Sequence, residues 1–204
     1  MMNIQKWLIA TALLMLSSVA AGEAKSLYAT CASCHGKNAE GSEPLAAPQL
    51  AGQGSAYLIE QLVNYRDGYR GTHPDDMWGK MMAASALSLS DDDIETLAVY
   101  LSDLTPRPIS TDSVGDPDAG KAFYLDNCEA CHGVNAQGVG PVYAPNLTIL
   151  QGWYIRSQLE AYAKDWRGHS TSTTRAKGMR SILGQISNDQ QVEDLIAWFA
   201  TLSK

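Results

Sequence analysis

Cys31-Ala32-Ser33-Cys34-His35-Gly36 and, 97 residues on, Cys128-Glu129-Ala130-Cys131-His132-Gly133 decide how the rest of this 204-residue chain is read. Held at that offset, Pro48 and Leu50 fall on Pro145 and Leu147, Tyr57 on Tyr154, and Gln61-Leu62 on Gln158-Leu159. Tyr65 falls on Tyr162, Arg70-Gly71 on Arg167-Gly168, Met82 on Met179, and Leu89-Ser90 on Ile186-Ser187. Chance does not hold one register over such a length. The chain is an internal duplication, and each copy is expected to be a complete small domain.

Each copy reads as helical. A short helix leads into each cysteine pair, with Leu27-Tyr28 and Phe123-Tyr124 one register apart. A second helix is expected from Ser55, as its cap, to Asp67, where Gly68 stops it; its counterpart runs from Gly152 to Trp166. The last helix is the clearest. Ser90 is a good N-cap, and Asp91, Asp92 and Asp93 sit in the first turn, where the helix dipole favours negative charge. Ile94, Leu97, Ala98, Leu101 and Leu104 follow at helical spacing, and Val192, Leu195, Ile196, Phe199 and Leu202 repeat that stripe at an offset of 98, implying one inserted residue near Asn188. No comparable alternation of a strand appears, so the expected fold class is all-α, with two tandem helical domains.

Pro106, Pro108 and Pro117, with small polar residues between them, mark a linker that continues neither helix. The expected organisation is a leader over 1–21, a first domain over 22–105, a linker over 106–118 and a second domain over 119–204, with the boundary near residue 112. The leader rests on Lys6, the only charge before Glu23, followed by an apolar run from Trp7 to Ala21 that ends in small residues. That layout is a secretory signal peptide, cleaved on export. A run of about 15 residues is short for a membrane span, which needs roughly 20. An uncleaved anchor is the alternative.

Without Lys6 the chain keeps 22 acidic residues against 14 basic ones, and no basic stripe, which argues against nucleic acid as a partner. Four cysteines in an exported chain would ordinarily signal disulfides, but their spacing points elsewhere. Cys-x-x-Cys-His is the attachment pattern of c-type haem. Two thiols a helical turn apart can each add to one vinyl group, and the adjacent histidine reaches the iron from the same side. A dithiol redox motif leaves the following histidine unexplained twice over. A zinc site made of cysteines alone needs its pairs in one domain. Two covalently bound haems are therefore expected, with Cys31, Cys34 and His35 at one and Cys128, Cys131 and His132 at the other.

Haem iron takes a sixth ligand or keeps a deliberate vacancy. Met179 is the only methionine after the linker and its repeat mate is Met82; each stands seven residues before the dipeptide that opens the last helix. Met77 and Met81 compete in the first copy but do not hold the register. His73 and His169, at an offset of 96, leave bis-histidine ligation open as an alternative. Methionine raises the potential relative to a second histidine.

The order of each copy resembles a class I cytochrome c, and the tandem arrangement is similar to the dihaem cytochrome c(4) family over essentially the whole mature chain. Leu50-Ala51-Gly52-Gln53, Tyr57-Leu58 and Gln61-Leu62 are close to that family, whereas Leu147-Thr148-Ile149-Leu150 departs from it. The resemblance implies two helical lobes with haem edges near their interface, carrying electrons in the periplasm between respiratory complexes. Its partners would be redox proteins such as a cytochrome bc-type complex, a terminal oxidase or reductase, or a periplasmic dehydrogenase, with peripheral membrane association and no catalytic residue. Pro48 and Pro145 resemble the proline whose carbonyl accepts a hydrogen bond from the proximal histidine. Arg70 and Arg167 are expected either to pair with haem propionates or to be exposed charges at helix ends. Tyr57 and Tyr154 are expected either to hydrogen-bond near the haem or, by preference, to pack the core.

Charge is uneven between the copies. Residues 22–105 hold 5 basic and 12 acidic residues, and residues 119–204 hold 8 and 7. An acidic first lobe that docks a basic partner is expected, with Arg175, Lys177 and Arg180 around Met179 favouring reduced iron. The rivals to a mobile carrier are a dedicated electron-transfer subunit of a dehydrogenase or reductase and, further off, a dihaem peroxidase.

Overall fold

The last helix of each copy begins with a cap that the sequence specifies. In the computed structural model, which describes residues 22–109 and 113–203, the Ser90 hydroxyl accepts from the Asp93 N–H while the Asp93 carboxylate accepts from the Ser90 N–H. This reciprocal pair opens a helix over Asp91–Asp103, and the Asn188 side chain opens its counterpart over Asp189–Leu202 by accepting from the Gln191 N–H. Such a cap stabilises a helix by about 1 kcal/mol. The apolar stripes that follow do more, because burying one large aliphatic side chain is worth about 1.5–3 kcal/mol.

In chain order the helices are α1 over residues 22–28, α2 over Ala32–His35, α3 over Ser55–Arg66, α4 over Met77–Ala86 and α5 over Asp91–Asp103. The second copy repeats them as α6 over Pro117–Asn127, α7 over Glu129–His132, α8 over Gly152–Ala163, α9 over Thr174–Ile182 and α10 over Asp189–Leu202. Among the described residues there are no strands beyond two isolated bridges, Ser42 to Ala47 and Val139 to Ala144. Each copy wraps its own core. Tyr28, Leu58, Leu62, Ile94, Leu97 and Leu101 fill the first, and Tyr124, Ile149, Leu150, Ile155, Leu195, Ile196 and Phe199 fill the second.

Several expected boundaries move. Gly54, not Ser55, stands at the N-cap of α3, and no side-chain bond closes that end. Ser55 is therefore the first residue of the helix and not its cap. Helix α8 stops at Ala163 rather than Trp166. The backbone N–H groups of Trp166 and Arg167 fold back onto the Ala161 carbonyl at 2.9 and 3.0 Å, which ends the helix. Helices α4 and α9, which carry Met82 and Met179, have no counterpart among the expected elements. The Asp76 side chain caps α4 and the Thr173 side chain caps α9. The leader lies outside the described residues, as does the boundary expected near residue 112. Among the described residues no helix is long and apolar enough to cross a membrane.

Candidate functional site

Each Cys-x-x-Cys-His segment is a single helical turn that begins just after a longer helix and ends at a glycine. Gly36 and Gly133 have φ of +83° and +81°, left-handed values that an L side chain rarely adopts. The turn they make exposes their carbonyls to Tyr28 and Tyr124, whose buried hydroxyls donate at 2.7 and 2.5 Å. The histidine before each glycine is thereby turned inward, and His35 and His132 are both buried.

Their rings are held by the same second contact. Nδ1 of His35 lies 2.9 Å from the Pro48 carbonyl, and Nδ1 of His132 lies 3.2 Å from the Pro145 carbonyl. A carbonyl only accepts, so Nδ1 carries the proton and Nε2 presents its lone pair. Burial pushes both imidazoles below their ordinary range, against the opposing effect of the carbonyl bond, which keeps them neutral. A neutral, oriented, buried imidazole is what a metal ligand requires. The first thiol of each pair is pushed up by burial, Cys128 to about 11. A dithiol oxidoreductase needs the reverse, a thiolate stabilised near neutral pH.

Met82 is half-buried on α4 and packs on the same core as Cys31, whereas Met77 and Met81 are 54% and 51% exposed. Met179 is half-buried on α9. His73 stacks on Trp166 with ring centroids 5.9 Å apart, and His169 bonds Thr171 and Thr72. Both spare histidines are thus engaged at the surface between the lobes.

Arg70 and Arg167 are not exposed helix-end charges. They are 6% and 7% exposed and lie between the two lobes. Each follows a helix whose end folds back, so that its N–H donates to the last turn, Arg70 to Asn64 and Arg167 to Ala161. The glycine after each is also left-handed, with φ of +76° at Gly71 and +74° at Gly168. A Cβ there would collide with the Gly79 or Ala176 carbonyl of the methionine-bearing helix. Arg-Gly therefore brings a guanidinium to the seam and the backbone against α4 or α9 at once.

Around the guanidiniums the partners are neutral. Arg70 donates to Gln61 at 2.7 Å, to Gln158 at 2.6 Å and to the Tyr154 hydroxyl at 3.3 Å. Arg167 donates to Gln158 at 2.8 Å, to Gln61 at 2.9 Å and to the Tyr57 hydroxyl at 3.2 Å. Arg70 also lies over the Tyr65 ring and Arg167 over that of Tyr162, at 4.5 and 4.6 Å. Tyr57 and Tyr154 serve these arginines, and only Tyr154 also belongs to a buried core. Burial raises the Tyr57 hydroxyl, but Arg167 and Arg70 outweigh it and hold the group below the phenol range. Neither arginine is paired with a carboxylate among the described residues.

Glutamines that the sequence alone left without a role complete the seam. Gln49 donates to the Ile149 carbonyl at 2.9 Å and to the Arg107 carbonyl at 3.1 Å. Gln53 exchanges a pair of bonds with the Asn146 backbone at 3.0 and 2.8 Å. Their signal was present: Gln61 and Gln158 hold the repeat register, and Gln53 follows a glycine at the edge of α3. The cations expected around Met179 are largely engaged. Arg175 pairs with Glu60 of the first lobe at 2.8 Å and covers the Tyr143 ring, and Arg180 pairs with Asp165.

The family model for cytochrome c matches this chain twice, over residues 21–105 and 117–203. The chain belongs to the cytochrome c family, as a member with two tandem domains. It is similar to cytochrome c4 of Pseudomonas aeruginosa (strain ATCC 15692), with 31% identity over 83% of this chain and 81% of that protein. It is also similar to the thiosulfate dehydrogenase electron acceptor of Stutzerimonas stutzeri (strain A1501), 29% identical over 90% of this chain and 83% of that one. The crystal structure of reduced recombinant cytochrome c4 from Pseudomonas stutzeri superposes with a TM-score of 0.70 at 26% identity, covering 88% of this chain and 97% of the other. This chain is accordingly a dihaem class I cytochrome c whose cofactors are two covalently bound c-type haems. It is an electron-transfer protein rather than an enzyme.

The residues present fit that cofactor. Two buried imidazoles offer Nε2, and two thiols precede each of them. Two buried guanidiniums have no carboxylate partner among the described residues, and a haem brings carboxylates of its own.

Proposed function

We propose that His35 and Met82 ligate one haem iron and His132 and Met179 the other. In this reading Cys31 and Cys34 tether the first haem, Cys128 and Cys131 tether the second, and Arg70 and Arg167 meet the propionates. The haem supplies one-electron chemistry when bound. The chain's residues orient the imidazoles through Pro48 and Pro145, exclude water with two helical cores, and neutralise carboxylates at the seam. A histidine and a methionine held at each iron would leave no place for a substrate there, so only an electron would exchange, by outer-sphere transfer that depends on distance and potential. The protein is exported to the periplasm, where it shuttles electrons between larger respiratory redox proteins.

The observation that carries this reading is the duplicated buried histidine, each with Nδ1 fixed on a proline carbonyl thirteen residues on. A visible spectrum with haem stoichiometry and a redox titration tests it. Two haems per chain, both low-spin and with a methionine–iron charge-transfer band, are expected. A high-spin ferric component at neutral pH turns the account toward an enzyme with an open iron.

A second reading is favoured by the relative named as the electron acceptor of a thiosulfate dehydrogenase. Here the chain receives electrons from one fixed dehydrogenase instead of serving several partners. Stoichiometric co-purification with a dehydrogenase from the source cells supports this; recovery of a free monomer that exchanges electrons with several redox proteins favours the mobile carrier.

A further inference from the structure

The bonds around Arg70 and Arg167 are crossed. Arg70 belongs to the first lobe, yet its Nη2 donates to Tyr154 and Gln158 of the second, while Nη1 stays with Gln61 of its own. Arg167 mirrors it: Nη2 donates to Tyr57 and Gln61 of the first lobe, and Nη1 to Gln158. The oxygens of Gln61 and Gln158 therefore each accept from both arginines. The donating nitrogens of the two guanidiniums, bridged by the same two acceptors, lie within two hydrogen-bond lengths of each other, in a place from which water is largely removed. Low dielectric strengthens every interaction of such a pair. The box has a pseudo-twofold arrangement, and no boundary within it separates what belongs to one lobe from what belongs to the other.

We infer that Arg70 and Arg167 form one shared positive unit that sets the redox potentials of both haems together, each arginine acting on the haem of the opposite lobe as well as on its own. The inference rests on the reading that haem carboxylates complete this box. Hydrogen bonding and local charge are levers by which a protein tunes haem iron. A buried positive charge favours the ferrous state, and an unneutralised carboxylate favours the ferric state. Both effects have the same sign, so loss of either guanidinium lowers the potential. Because the bonds cross, the loss is felt on both sides of the seam. These are positioning residues, since neither reaches iron.

The test uses the purified dihaem protein, titrated spectroelectrochemically with the two haems told apart by their paramagnetic methyl resonances. Arg70→Gln and Arg167→Gln are each expected to lower both potentials, by about tenfold in the equilibrium constant for reduction, or about 59 mV for one electron. Arg70→Lys keeps the charge and is expected to recover most of the shift. Gln61→Glu keeps the shape of the side chain and places an anion between both guanidiniums. It is expected to lower both potentials even if an arginine variant fails to fold. One potential moving alone in Gln61→Glu, or in either folded arginine variant, overturns the shared unit. That outcome leaves the carrier reading intact provided two haems and the methionine–iron band are retained. Absence of a haem or of that band in the unmutated protein sinks the carrier reading, and this inference with it.

Discussion

The two lobes agree around the buried histidines and differ in the packing of their cores and where they meet solvent. Histidine, proline carbonyl, left-handed glycine, buried arginine and half-buried methionine occupy matched positions in both. Their methionine-bearing helices have nevertheless diverged. Helix α4 exposes Met77, Trp78 and Met81, whereas the matching positions of α9 are Thr174, Arg175 and Gly178. The cores have diverged as well. Tyr124 packs on Trp198 at 4.5 Å and edge-on to Phe199 at 5.7 Å, while in the first lobe the aromatic partner of Tyr28 among the described residues is Tyr100, at 5.8 Å. A duplicated fold is thus constrained from within by its cofactor geometry and at the seam by paired polar groups. Its outer faces are constrained by neither, and they differ in polarity for that reason.

The strongest way to break the comparison is to remove one ligand at a time. His35→Ala and His132→Ala are each expected to cost one haem, leaving one per chain by pyridine haemochrome assay and an undisturbed spectrum from the other lobe. Loss of both haems in either variant would mean that the lobes do not hold their cofactors independently.

Core truncation comes next. Phe199→Ala should destabilise by about 3–5 kcal/mol, because a large aromatic leaves a cavity that helix packing cannot close. Ile94→Val in the first lobe should cost only about 0.5–1.5 kcal/mol. Denaturant unfolding of the haem-loaded protein measures both, and equal effects would contradict the packing described. At the seam, Gln53→Leu removes the bonds to the half-buried Asn146 N–H and carbonyl, a loss of about 0.5–1.5 kcal/mol for each bond. Because those groups belong to the second lobe, hydrogen exchange at Asn146 should accelerate although the substitution lies in the first.

The smallest expected effect is a pH dependence carried by one ion pair of the second lobe. Arg156 bonds Glu193 and holds its carboxyl below the usual range, against the opposing effect of burial. Ile59 stands at the position that matches Arg156, so the first lobe has no such pair. A carboxyl with a depressed folded pKa contributes stability above its unfolded pKa and loses that contribution as pH falls through the folded value. Acidification should therefore weaken the second lobe by this route, and Glu193→Gln should flatten that part of the stability profile between neutral and acidic pH. An unchanged acid limb would show that the pair contributes nothing there.

Much of this was legible beforehand because covalent and ligand chemistry leaves fixed spacings. Cys-x-x-Cys-His needs its residues at those positions whatever surrounds them, and the α5 cap and stripe are local properties of Ser90 through Leu104. Met82 stood out among three neighbours by register alone, a choice with which the exposure of Met77 and Met81 is consistent. Helices α4 and α9 were not legible. Gly79 and Gly178 interrupt their patterns, and these helices are defined by a cap at one end and by contact with the backbone at Gly71 and Gly168.

The sequence by itself determined that the chain is written twice, that each copy is helical, and which cysteines and histidines carry the haem-attachment pattern. Only the tertiary structure decided what Arg70, Arg167, Gln49, Gln53, Gln61 and Gln158 do. The hydrogen bonds between lobes join residues 84 to 115 positions apart, and no periodicity within either copy encodes which partner an arginine will find. Burial of two cations with no carboxylate partner among the described residues is a property of the assembled seam, where the two copies meet.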